Sequence, residues 1–182
     1  MLGDRSYPQV PRGGFGLIVF VLCLVGLFMV YRAGNEDEAG RDASTGQPAR
    51  SVTVEVDRVV DGDTAKVFYE GESEYVRYIG IDTPESVQPD APVECFGVES
   101  KDFNASLIEG ERMKMVFDEE KRDRYGRLLA YVYVDGKMVN AEMLRRGYAT
   151  TLEISPNTSK ADQFSSLEEE ARDAGLGLWS AC

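Results

Sequence analysis

No histidine occurs anywhere in the chain. Its absence excludes a Ser-His-Asp triad, an imidazole general base and any histidine-ligated metal in one step. Catalysis would have to use carboxylates, Arg, Lys, Tyr or a metal. Charge is missing from residues 13–31, large apolar side chains are missing from residues 32–50, and basic residues are outnumbered in the remainder. Each gap has a consequence. The uncharged stretch, with its core from Phe15 to Val30, is too apolar all round for a surface helix. At ~1.5 Å per residue it reaches about 28 Å, close to the ~30 Å of bilayer hydrocarbon. A single membrane anchor is therefore expected over 13–31, behind a short tail of residues 1–12. A cleaved signal sequence is the alternative. Arg5 and Arg12 precede the stretch, whereas Arg32 is followed by Glu36, Asp37 and Glu38. That bias puts the amino terminus inside and the rest of the chain outside. Cys23 falls within the apolar run and reads as a membrane-facing structural cysteine. Residues 32–50 have nothing with which to bury a core and read as a flexible linker.

Residues 1–50 carry five basic and five acidic side chains, so the whole net charge of -12 falls on residues 51–182. Net negative potential slows the approach of polyanions. Either the partner is cationic, or the acidic surface suits concentrated salt, where repulsion is screened within ~3 Å at molar ionic strength. Local basic clusters decide between the two, and the candidates are Lys121-Arg122, Arg124, Arg127 and Arg145-Arg146.

What is present in residues 51–182 reads as one mainly β domain. Val52, Val54 and Val56 alternate with polar residues, as do Ala65, Val67 and Tyr69, so two strands flank the turn Asp61-Gly-Asp-Thr64. Glu70-Gly71-Glu72 closes a second hairpin, and a third strand runs from Glu74 to Ile81, with Arg77, Ile79 and Ile81 on one face. Pro84, Pro89 and Pro92 mark a long irregular loop. Val98, Phe103 and Leu107 then predict a helix ending near Gly110. Met113 to Phe117 and Leu129 to Val134 supply two more strands, and Asp135-Gly136 is a strong hairpin signal. Asn140 can cap a short helix that stops at Gly147, and Ser159 can cap a last one carrying Phe164, Leu167, Ala171 and Ala174. Five short strands with bounded turns suggest a small barrel of the OB type, though another α+β arrangement is also compatible.

Four carboxylates fall near strand ends. Asp61 and Asp63 flank a glycine, while Asp82 and Glu85 flank Thr83-Pro84 just after Arg77. Asp-Gly-Asp alone is also a routine hairpin turn, and an arginine beside acids is often a plain salt bridge. Together, hard oxygen ligands without cysteine or histidine point to calcium, with magnesium second.

Asp61-Gly-Asp-Thr64, Arg77 to Glu85, and Asp123-Arg-Tyr-Gly-Arg127-Leu-Leu-Ala-Tyr131 stand in the order and spacing of the staphylococcal nuclease (thermonuclease) family. Asp135 to Asn140 and Gly177-Leu-Trp179-Ser180 extend the resemblance, which covers residues 52–180. It implies a five-stranded OB barrel with three helices and calcium-dependent hydrolysis of DNA and RNA to products with 3′-phosphates. By the same resemblance Asp63 and Asp82 would bind calcium with the Thr83 carbonyl, and Asp61 would lie close behind. Glu85 would position or deprotonate the attacking water. Arg77 and Arg127 would grip phosphate oxygens, and Arg124 and Tyr125 would lie near the bound nucleotide. One departure concerns Thr150 to Ser155, where the family places aromatic residues and this chain has none.

Cys95 and Cys182 are the only cysteine pair in residues 51–182, and an oxidising exterior would let them join, with two free thiols as the alternative. Trp179 reads as an anchor of the carboxyl terminus. The expectation is thus a monomeric nuclease domain at 51–182 acting on DNA or RNA with Ca2+. It would be held at the cell membrane, or secreted after signal cleavage. A non-catalytic OB module that binds single strands or a protein partner is the alternative.

Overall fold

The computed structural model describes residues 51–86 and 92–182. The expected tail, membrane anchor and linker, Cys23 and Pro89 lie outside the described residues. No helix among the described residues is long and apolar enough to cross a membrane.

Strands β1 (Ser51–Asp61), β2 (Thr64–Tyr69) and β3 (Glu72–Tyr78) form two successive antiparallel hairpins. Strand β1 also pairs with β5 (Arg112–Val116), which pairs with β6 (Leu128–Val134). Parallel pairing of β6 with β3 closes the circle into a five-stranded barrel. The short β7 (Lys137–Met138) completes a hairpin with β6. That turn uses Asp135 at φ 49° and Gly136 at φ 75°, the double left-handed geometry that Asp-Gly favours.

Alternate residues of each strand fill the interior. Val67, Val76, Met113, Met115, Leu128 and Val132 are fully buried, each worth about 1.5–3 kcal/mol of transfer free energy. Outside the barrel lie α1 (Gly97–Ile108), α2 (Val139–Arg145), α3 (Ala161–Asp173) and a terminal turn, α4 (Leu178–Ala181). Phe164, Leu167 and Ala171 of α3 pack inward at helical spacing, whereas Ala174 is exposed.

Four local expectations give way to tertiary contacts. The strand predicted for Glu74–Ile81 breaks at Gly80, whose φ is 79° and where a Cβ would meet the Phe164 ring at 2.6 Å. Glycine is needed there, and β4 (Gly80–Asp82) peels away to pair with β8 (Thr150–Leu152). Ile79 and Ile81 are consequently buried, while Arg77 stays on the outer face of β3.

Helix α1 buries Gly97, Ser100, Asn104 and Ile108 and exposes Val98, because it covers the polar end of the barrel. Asn140 does not cap α2. Its side chain accepts from Val132 N–H and donates to the Ile79 carbonyl, both at 2.9 Å, tying α2 to β6 and to the break before β4. Ser159 does not cap α3 either, and its hydroxyl instead lies 3.3 Å from that of Tyr131.

Candidate functional site

The carboxylates converge because the β1–β2 turn packs against the end of β4. A Cβ on Gly62 would lie 2.7 to 2.9 Å from Thr83 side-chain atoms, so close approach is what requires glycine. Asp63, 6% exposed, accepts from Thr83 N–H at 3.0 Å and Thr83 Oγ1 at 3.2 Å through one oxygen, and from Thr64 Oγ1 at 2.9 Å through the other. Asp61 accepts from Ser86 Oγ at 2.7 Å and from Gly62 N–H at 2.9 Å. Its own carbonyl accepts from Asn104 Nδ2 at 2.9 Å, and the hydroxyl of buried Tyr78 donates to Asn104 Oδ1 at 3.1 Å. Helix α1 thereby holds the turn that carries two acids.

Arg77 is the centre of the arrangement. Its guanidinium reaches Asp63 at 2.9 Å, Asp82 at 2.6 Å and the Ile81 carbonyl at 2.9 Å. The exposures differ sharply across this triplet, with the Asp82 side chain 53% exposed and that of Arg77 14%. Asp63 is therefore the fixed end and Asp82 the adaptable one.

Glu85 sits beside the same group. Its N–H donates to the Glu94 carboxylate and its carbonyl accepts from Glu94 N–H, both at 3.0 Å. A Cβ on Gly97 would come within 2.5 Å of that Glu85 carbonyl, so α1 begins pressed against it. Cys95 is joined to Cys182, with the Cα atoms 6.0 Å apart. The Glu85 segment is thus tied through Glu94 and Cys95 to the carboxyl terminus.

Electrostatics follow from this crowding. Burial pushes the Glu85 carboxyl up to about 7, aided by Asp61, Asp63 and Asp82. Burial also raises Asp63 above the usual carboxylate range, although Arg77, Thr64 and Thr83 oppose it. The donor set of hard oxygens facing one compensating arginine is the kind that a calcium-sized cation would relieve. Among the described residues no three acids form a closed metal cage, because Arg77 spans Asp63 and Asp82 instead. The residues present fit a cation by charge and donor type.

Arg127 lies on another wall, shared with Arg77. A cleft of about 450 Å³ is lined by Arg77, Arg124, Tyr125, Arg127, Leu152 and Ile154 among others, a volume in the range of small-molecule sites. Asp123 builds its rim. That carboxylate accepts from the N–H groups of Tyr125 and Arg127 at 2.9 Å and from Arg127 Nε at 2.7 Å. Burial alone would raise Asp123, but the Arg127 guanidinium and the two backbone amides outweigh it and hold it low. Gly126, at φ 83°, permits the turn. The Arg127 guanidinium lies 5.6 Å and that of Arg124 4.7 Å from the ring of Tyr125, which is 69% exposed.

Asp63, Asp82, Thr83 and Arg77 are thus in direct contact, Asp61 and Glu85 adjoin them, and Arg124, Tyr125 and Arg127 face the cleft. Of the other basic candidates, Lys121 donates to Tyr69 OH, Arg122 forks onto Glu74, and Arg145 pairs with Glu142. Ser86, Glu94 and Asn104 escaped the sequence reading. Only the spacing of Ser100, Asn104 and Ile108 hinted that α1 has a polar buried stripe. Leu152 and Ile154, in the segment singled out for lacking aromatics, put aliphatic surface into the cleft.

A family model described as "Staphylococcal nuclease homologue" matches residues 75–181. The chain is 42% identical over 147 residues to "Endonuclease YncB" of Bacillus subtilis (strain 168), covering 80% of this chain and 69% of that protein. It is 32% identical over 166 residues to "Thermonuclease" of Staphylococcus hyicus, covering 91% and 96% respectively. A third relative, "SPbeta prophage-derived endonuclease YokF" of Bacillus subtilis (strain 168), is 45% identical over 131 residues, which are 71% of this chain and 44% of that protein. The barrel, the carboxylate–arginine cluster and these similarities converge, and the chain belongs to the staphylococcal nuclease family.

Proposed function

We propose that the protein is a calcium-dependent nuclease that hydrolyses phosphodiester bonds of DNA or RNA and leaves 3′-phosphates. The observation that carries this reading is Arg77, whose guanidinium joins Asp63 to Asp82 on one side and lines the Arg127 cleft on the other. One residue therefore belongs to both a cation-type donor set and an arginine-lined cleft of small-molecule size.

Asp63, Asp82 and the Thr83 carbonyl would hold the calcium, with Asp61 behind them. When bound, the ion would supply positive charge to the phosphate and to the attacking water. The side chains do the rest. Glu85 would take a proton from the attacking water, its carboxyl standing beside Asp61, Asp63 and Asp82. Water oxygen bonds to phosphorus, its proton passes to Glu85, and the bond from phosphorus to the 5′-oxygen breaks, that oxygen taking a proton from solvent water to leave as a 5′-hydroxyl. Arg77 and Arg127 grip the equatorial oxygens as charge grows there. Arg127 is suited to this because Asp123 takes its Nε, and its Nη groups make no hydrogen bond among the described residues. Tyr125 and Arg124 offer a face for the adjoining sugar and base.

The setting proposed is the cell exterior, with residues 13–31 as a membrane anchor, 32–50 as a linker and a monomeric domain at 51–182. A disulfide between Cys95 and Cys182 supports an oxidising compartment. The decisive assay is release of acid-soluble nucleotides from DNA and from RNA, with calcium, with chelator and across salt. Cleavage that requires calcium is the expected result. Tight binding of single strands without cleavage at any salt would overturn the enzyme reading in favour of a binding module.

A further inference from the structure

We propose that the outer face of β1–β2–β3 is a second contact surface for single-stranded nucleic acid, extending the strand's path from Arg77 along β3 toward the β2–β3 hairpin. The proposal rests on the nuclease reading only for where the scissile phosphate sits.

Exposed aromatic side chains are rare in this domain. Among the described residues they are Phe68, Tyr75 and Tyr125, at 51%, 41% and 69% exposure. Tyr125 lines the cleft, and the other two lie on the strand that carries Arg77 and on its neighbour. Register puts Phe68 and Tyr75 on one path with Arg77. Thr64 pairs with Arg77, Lys66 with Tyr75 and Phe68 with Ser73, so Arg77, Tyr75 and Ser73 leave the same face of β3. Each two-residue step advances about 7 Å. Tyr75 is one step from Arg77, and Phe68, opposite Ser73, is two.

Charge runs with the aromatics. Lys66 Nζ lies 4.5 Å from the Tyr75 ring centroid, and Arg58 pairs with Lys66 on the next strand. On the other side, β6 pairs Leu128 with Val76 and Leu129 with Arg77, and Arg127 immediately precedes that strand. Arg58, Lys66 and Tyr75 form a cross-strand row in a region whose net charge is -12, and of the two cations Arg58 is ion-paired with Asp57. Cations interleaved with aromatic faces suit a phosphate backbone whose bases stack without regard to sequence. The far limit is visible as well. Asp57, bonded by Ser73 and Arg58, and Glu55, opposite Phe68, make the face acidic beyond that point. Room remains for two bases, one on Tyr75 and one on Phe68.

The test uses the whole protein and two probes, a fluorescein-labelled 12-residue oligothymidylate and a chromogenic thymidine dinucleotide. Binding of the 12-mer is read by anisotropy in chelator, and cleavage of both is read in calcium. The variants are Tyr75→Ala with Phe68→Ser, and separately Lys66→Glu. Lys137→Ala on the distant hairpin controls for loss of a positive charge. The double variant should weaken 12-mer binding and raise its KM about tenfold or more, with less than twofold effect on the dinucleotide KM. Lys66→Glu should do the same and steepen the loss at low salt, and Lys137→Ala should do neither. Equal losses on both probes, no loss on either, or a wild-type protein that binds no 12-mer would overturn the proposal. So would a wild-type dimer that these variants convert to a monomer, since a second copy of the chain would then be the occupant. A wild-type protein that binds the 12-mer, loses it in the variants and cleaves nothing would remove the nuclease reading and leave this surface standing.

Discussion

The two halves of the site are built on opposite plans. The carboxylate half is braced by neighbouring side chains, with Asp61 and Asp63 buried and only Asp82 largely exposed. Asp61 and Asp63 are clasped by Ser86, Thr83 and Thr64, Asn104 holds the turn from α1, and Glu85 is tied to Glu94 beside a disulfide. The arginine half is a short exposed turn organised by one residue, Asp123, with Tyr125 largely in solvent. The contrast teaches where each task belongs. On the proposed reading, crowded acids are held in place against mutual repulsion until a cation arrives, whereas groups that grip a flexible substrate work best with freedom to close on it.

The largest expected effect breaks the chemistry within the braced half. Glu85→Gln should lower kcat by about 10²–10⁴-fold while calcium affinity changes only severalfold, measured by cleavage rate and calorimetric titration. An unimpaired rate would remove Glu85 from the proton transfer. Next comes the brace itself. Cys95→Ser should destabilise the domain by about 2–5 kcal/mol in urea unfolding, and its kcat should fall more than its KM for a dinucleotide, because Glu85 rather than the cleft loses support. A KM effect alone would show that the bond serves the arginine half. Asn104→Ala comes third. It leaves the buried Tyr78 hydroxyl and the Asp61 carbonyl without a partner and should cost about 1–3 kcal/mol.

The smallest effect separates the halves by pH. Without calcium, the raised carboxyls of Glu85 and Asp63 keep protons that the unfolded chain has released. Stability should therefore fall as pH rises from about 4.5 to about 7, and calcium should flatten that slope. Asp123 behaves oppositely, because its depressed pKa contributes stability at neutral pH that is lost as pH falls through its folded value. Thermal melts of Glu85→Gln should lose most of the first slope, and melts of Asp123→Asn should lose the second. Unchanged profiles in both variants would contradict the assignment.

Much of this was legible from residues alone, and the exceptions share a cause. Alternation marked the strands that close the barrel, and Asp135-Gly136 marked its hairpin, because those signals are local. The break at Gly80 comes from Phe164, more than eighty residues further along, and no pattern inside Glu74–Ile81 announces it. Apolar periodicity misplaced the buried side of α1 because that helix packs on the polar end of the barrel and buries Ser100 and Asn104. Asn140 and Ser159 look like caps, yet longer-range partners take their side chains. The residues of the candidate site were readable as types and spacings. Their division into a braced half and an open half was not, since it depends on Ser86, Glu94 and Asn104, which carry no signature of their own.

Calcium titration and cleavage rate, measured together on wild-type protein, Arg127→Ala and Asp82→Asn, test the division most directly. The account predicts that Arg127→Ala binds calcium like wild type and cleaves at least ~100-fold more slowly, while Asp82→Asn loses calcium affinity about tenfold or more. A wild-type protein that binds no calcium, or an Arg127→Ala protein that loses calcium as severely as Asp82→Asn, would contradict it.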